Sequence, residues 1–159
     1  GVLGYINEGD INLKKSSAKI KNKNKILPVT NPEEQYKFAL NYALKSDYEK
    51  AEIAFKEFIK INKNHKRAQD SQYWLGRIYF TKKRYEEAAI ALAEYNSLYP
   101  DDKRFQETTL LIAESAANFA PKDQLCEILI QSLEFMEKPT VNFIKRIKKL
   151  KTENKCPDE

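Results

Sequence analysis

From residue 31 onward the apolar positions recur at helical spacing, and the pattern returns at a fixed distance along the chain. Phe38-Ala39-x-x-Tyr42, Leu75-Gly76-x-x-Tyr79 and Ile112-Ala113-x-x-Ala116 stand 37 residues apart. The same offset carries Ala51 to Ala88 to Leu125, Phe55 to Leu92 to Leu129, and Tyr48 to Tyr85 to Lys122. Each period holds two stretches of 3.6-residue periodicity, which predicts a pair of helices per repeat. The small residues Ala39, Gly76 and Ala113 recur where the first helix must let the second come close, and Ala51 and Ala88 match them from the other side. The larger ones form a stripe that one hairpin cannot bury and that stacking on a neighbour can. Three repeats follow, over 31–65, 66–102 and 103–137.

The flanks read differently. Residues 1–30 mix Gly1, Gly4, Ser16 and Ser17 with the run KKSSAKIKNKNK and end at Pro28, so they read as a flexible basic lead-in or linker. Asn31 is an N-cap candidate, with Pro32 at the first helical position and Glu33 and Glu34 favourably placed near the positive end of the helix dipole. Beyond Pro139, Thr140 is placed to cap a seventh helix carrying Val141, Phe143, Ile144, Ile147 and Leu150. Together 138–159 form a capping helix and tail, since an exposed terminal hairpin needs its apolar face closed.

Charge refines this division. The 159 residues carry a net +5, but residues 1–30 and 138–159 hold about +4 each, leaving a mildly acidic body. A basic balance confined to the ends argues against nucleic acid as the partner. Few Gly and Pro among many Lys, Glu, Ala and Leu favour regular helices. No apolar run is long enough to insert in a membrane. The chain opens at Gly1, without Met or a signal peptide, and is expected to be a processed, trimmed or fragmentary product.

Candidate chemistry is sparse. The one histidine, His65, lies in the turn between two repeats and reads as solvated, not as a catalyst or metal ligand. No nucleophile, phosphate-loop or zinc motif appears, so the reading is a non-enzymatic chain with no catalytic residue, no metal and no cofactor. Cys126 and Cys156 stand 30 residues apart. Two antiparallel helices turning near Lys138 would place Cys126 opposite about residue 150, an overshoot of about 9 Å at 1.5 Å per residue. Free thiols and a disulfide therefore both stay open. A tail folding back after Thr152 would close the gap, and an oxidising compartment would favour the bond.

The recurring positions resemble the tetratricopeptide repeat over roughly residues 32–137. Repeat two carries Leu75-Gly76-x-x-Tyr79, Ala88 and Pro100 at that family's spacing; repeat one carries Ala51-x-x-x-Phe55; repeat three is degenerate. The resemblance implies an all-α fold of three tetratricopeptide-like helical hairpins in a right-handed solenoid with a C-terminal capping helix. It also implies a concave partner-binding groove lined by the first helix of each hairpin. The groove residues expected from the register are Tyr36, Leu40, Tyr73, Trp74, Arg77, Phe80, Leu110 and Glu114, with Tyr36, Tyr73 and Trp74 equally suited to packing between hairpins. The Lys and Asn carboxylate clamp of chaperone-binding members falls on Tyr36 and Leu40, which disfavours that use.

Within this group, Tyr73-Trp74-Leu75-Gly76, Tyr85-Glu86-Glu87-Ala88 and Tyr99-Pro100 are similar to the C-terminal domain of the Tol-Pal accessory family, the cell division coordinators CpoB (YbgF) of alphaproteobacterial type. Many such members also place a Cys in the third repeat's second helix and another at the extreme C-terminus, where Cys126 and Cys156 stand. The resemblance implies a periplasmic protein whose partners are a Tol-Pal component and a peptidoglycan synthase, coordinating outer-membrane constriction with septal wall synthesis. It implies a homotrimer only where an N-terminal coiled coil is present upstream. A generic tetratricopeptide adaptor of another envelope or cytosolic assembly is the alternative.

Overall fold

The computed structural model describes residues 24–158; the greater part of the expected lead-in, residues 1–23, lies outside them. The described residues are all-helical, with no strand. They divide into two compact units, parted between His65 and Lys66.

The first unit holds one hairpin, α1 (Pro32–Leu44) and α2 (Tyr48–Ile61). Asn31 caps α1 as expected: its Oδ1 accepts from the Glu34 N–H at 3.0 Å. Ala39, Ala51, Ala54 and Phe55 have no exposed surface, so the small-residue positions do bring the helices together. The last residues of the expected lead-in meet the hairpin. The Glu57 carboxylate accepts the Ile26 and Leu27 N–H groups at 2.7 and 2.9 Å, and Gln35 donates to the Pro28 carbonyl at 3.0 Å. Residues 26–28 are thus tied to the hairpin, because a half-buried carboxylate finds its hydrogen bonds there. His65 is more than solvated: its ring meets Phe58 edge-on at 6.1 Å, and Nε2 lies 3.9 Å from Glu33 Oε1.

The second unit contains α3 (Arg67–Thr81), α4 (Tyr85–Leu98), α5 (Phe105–Ala116), α6 (Lys122–Phe135) and α7 (Val141–Glu153). Helix α3 packs on α4, α4 on α5, and α5 on α6. Gly76 marks a close approach of α3 and α4. A Cβ built there would lie 2.4 Å from Leu92 Cδ2 and 2.6 Å from its Cγ, so only glycine lets the fully buried Leu92 seat against α3. Gln72 donates to the Ala91 carbonyl at 2.9 Å across the same interface, and Asn96 to Thr109 at 3.1 Å across the next.

Helix α7 touches α5 and α6, and α5 also touches α3. It therefore takes the place that the first helix of a further hairpin would occupy. Ala113, Ala116, Leu125, Leu129, Phe143 and Ile147 form the core that it closes. Thr140 caps it, accepting from the Phe143 N–H at 3.1 Å. Val141, grouped with the apolar face from sequence, is instead 82% exposed, because it stands about 160° around the helix from Phe143.

Left-handed residues end three of these helices. Ser46 (φ 60°), Lys83 (φ 60°) and Lys155 (φ 51°) follow α1, α3 and α7. In each case two N–H groups bond back to the helix: Ser46 to Ala43 and Asp47 to Tyr42, Lys83 to Phe80 and Arg84 to Tyr79, Lys155 to Thr152 and Cys156 to Lys151. This is the Schellman arrangement, which satisfies carbonyls that the helix end would orphan. In the third repeat the residue in register with Asp47 and Arg84 is Pro121, which has no N–H to give. That turn accordingly closes through Ala120 N–H to the Ala116 carbonyl at 2.8 Å.

Cys126 and Cys156 are joined, with Cα atoms 5.4 Å apart. The apparent overshoot is absorbed by the left-handed turn at Lys155, which swings Cys156 back along α7.

Candidate functional site

The expected groove residues fall into groups. In the first unit, Tyr36 is buried, its ring 6.1 Å from both Phe55 and Phe58, while Leu40 is half-buried. In the second unit, Tyr73, Trp74 and Arg77 come together on successive turns of α3. Tyr73 is 7% exposed, so it packs and does not stand open to a partner. Its hydroxyl donates to Glu107 Oε1 at 2.5 Å and accepts from Arg77 Nη1 at 3.1 Å. Burial, followed by the hydrogen bond to Glu107, pushes its phenol above the usual range.

Trp74 is half-buried and meets Tyr73 edge-on at 6.0 Å. The Arg77 guanidinium stands 5.7 Å from the Tyr73 ring centroid and 5.9 Å from that of Trp74. With Glu107 Oε1 3.5 Å away and both side chains 47% exposed, Arg77 is a cation oriented by two rings and facing solvent. Phe80 lies apart, edge-on to Tyr85 at 5.6 Å. Leu110 and Glu114 line a cleft of about 440 Å³ between α5 and α7, with Phe143 and Arg146 opposite. Glu114 is held by Arg146, so a residue expected to meet a partner is engaged within the unit.

Beneath this surface lies a polar network that the sequence reading missed. Arg104 Nε meets Asp102 Oδ1 and its Nη1 meets Asp70 Oδ1, both at 2.9 Å. Its guanidinium also lies 4.7 Å from the Tyr73 ring centroid and 5.5 Å from that of Tyr95. The Tyr95 hydroxyl donates to Asp102 Oδ1, and Gln69 Nε2 donates to Asp102 Oδ2 at 2.7 Å. Burial works to raise the Asp102 carboxyl, but the hydrogen bonds from Arg104 and Tyr95 outweigh it and hold the group down at about 2. Burial and the hydrogen bond to Asp102 push Tyr95 up to about 12. The one available sequence signal was Asp102 and Arg104 just beyond Tyr99-Pro100, with Tyr95 seven residues upstream.

The network's groups satisfy one another, and Arg77 and Trp74 above it are the ones with surface to offer a partner. Among the described residues no cluster of His, Cys, Asp and Glu is arranged to take a metal ion. No helix there is long and apolar enough to cross a membrane. The fold defines a helical-repeat protein, the class to which protein-binding adaptors belong. More particularly, residues 69–102, comprising nearly all of α3 with α4 and the following turn, match the tetratricopeptide repeat. No curated protein matches the chain.

Proposed function

We propose that this chain is a periplasmic scaffold of the Tol-Pal system that binds protein segments and helps to coordinate outer-membrane constriction with septal peptidoglycan synthesis. The coarser part of this reading, a protein-binding repeat adaptor, rests on the tetratricopeptide match at 69–102. The observation that carries it to a place on the molecule is Arg77, exposed and fixed against the Tyr73 and Trp74 rings. Such a cation, with its desolvation already partly met by aromatic faces, anchors an acidic or polar side chain of a partner beside an apolar neighbour. The Tol-Pal assignment is supported by the strings around Tyr73, Tyr85 and Tyr99, and the compartment by the Cys126–Cys156 bond, which persists where thiols are oxidised.

Trp74 is the only tryptophan, so its fluorescence reports directly on this surface. Titrating the chain with tiled periplasmic segments of Tol-Pal components and of a septal peptidoglycan synthase should give saturable changes for at least one segment. Arg77→Glu should weaken that binding by tenfold or more, about 1.4 kcal/mol. Segments that bind equally well to Arg77→Glu would dismiss the site. Failure of every segment, with a segment from another assembly bound at Arg77, would dismiss the Tol-Pal assignment and leave the adaptor.

A further inference from the structure

The outer face of α7 serves neither the core nor the Arg77 surface. Phe143 and Ile147 are buried and Leu150 is half-buried, which fixes the inner side of the helix. At 100° per residue, Val141, Lys145, Lys148, Lys149 and Thr152 fall on the opposite side. The helix carries five cations against the single acid Glu153. Of these, Arg146 is taken by Glu114, and Lys149 reaches Glu153 at 3.7 Å with 74% of its side chain exposed. Lys145 and Lys148 are exposed, and neither is in an ion pair with another described residue. Val141, 82% exposed, stands at the N-terminal end of this row of lysines, and Phe135, 75% exposed, closes α6 at the same end of the hairpin.

The chemistry of that face narrows its partner. Nucleic acid would call for several rings to stack bases and for arginines to fork onto phosphates; the face itself carries no ring and no arginine, Phe135 standing beyond its end and Arg146 being engaged by Glu114 on another side of the helix. A free acidic peptide would need a groove, whereas an outward-facing helix side is convex. A lipid headgroup layer matches a convex row of lysine point charges with an apolar side chain at one end, the charges meeting phosphates and the apolar tip entering just below them. The cap, the Lys155 turn and the Cys126–Cys156 bond hold this helix in place before any encounter, so docking orders little new chain.

We propose that the outer face of α7 docks the protein peripherally onto anionic phospholipid, through Lys145, Lys148 and Lys149 with Val141 as the apolar contact. Cosedimentation of the whole chain with vesicles of phosphatidylcholine containing about 30% phosphatidylglycerol tests it, pure phosphatidylcholine being the control. Binding should appear only on the anionic vesicles and fall steeply in high salt. Losing each lysine should cost roughly fivefold, so Lys145→Gln/Lys148→Gln should weaken binding on the order of 25-fold with unchanged thermal unfolding. Val141→Ser should weaken vesicle binding several-fold while leaving binding to single-stranded DNA as it was.

Vesicle binding untouched by the lysine changes would assign it to other basic residues and overturn the proposal. Equal retention on DNA with no effect of Val141→Ser would overturn it in favour of a general polyanion surface. Lysine changes that alter only the mass of the protein in solution would overturn it in favour of self-association through the acids of α6, Asp123, Glu127 and Glu134.

Discussion

At the residue scale, two positions carry consequences that their chemistry alone would not suggest. Gly76 lies inside a helix, where replacement by alanine would ordinarily gain about 1 kcal/mol of helix propensity. Here the added methyl meets Leu92, so Gly76→Ala should instead lose about 1–3 kcal/mol in urea unfolding. Leu92→Ala should cost less in that background than in the parent, and a strictly additive double mutant would contradict the contact. Asp102 is the second position. Its folded carboxyl titrates near 2, below the unfolded value of 3.8, so its contribution is present above about pH 4 and is lost as pH falls toward 2. Asp102→Asn should remove on the order of 1–2 kcal/mol at neutral pH and flatten the acid limb of the stability curve between pH 4 and 2. The small residue at position 76 was legible in the 37-residue register. The Asp102 network was not, because Asp70, Tyr95 and Arg104 come from two helices and a loop that only packing brings to one point.

At the element scale, the helix ends decide the path of the chain. Ser46 and Lys83 occupy left-handed turns without being glycine, so no turn residue announced them. The same geometry at Lys155 explains why a simple antiparallel estimate left Cys156 too far from Cys126. The bond closes a loop of 30 residues, and Cys156→Ser should destabilise the Lys66–Glu159 unit by roughly 3–4 kcal/mol. Hydrogen exchange should place most of that loss in α7, with α3 and α4 retaining their protection; uniform loss across the unit would show that the bond does more than hold the closing helix. The existence of α7 and its Thr140 cap were readable, since both are local. The outward turn of Val141 followed only once Phe143 and Ile147 were seen to face the core.

At the scale of the whole molecule, the two units differ in what each can bury. Among the described residues, the first unit has a single hairpin from which to build a core, whereas the second has five helices, of which α5, α6 and α7 share one core cluster beside the disulfide. Residues 66–159 expressed alone should therefore unfold cooperatively by circular dichroism, and residues 24–65 alone should show little helix. A cooperative transition in the short piece would overturn that assessment. The 37-residue period determined the all-helical class, the pairing of helices and the positions that must be small, because those depend on spacing along one chain. Packing alone decided that Tyr73 is buried and bonded to Glu107, that Glu114 is engaged by Arg146, and that Arg77, paired with Glu107, still keeps an exposed guanidinium against two rings. Those outcomes depend on which helices meet, and residues 26–28 gave no sign in their own sequence that Glu57 would hold them.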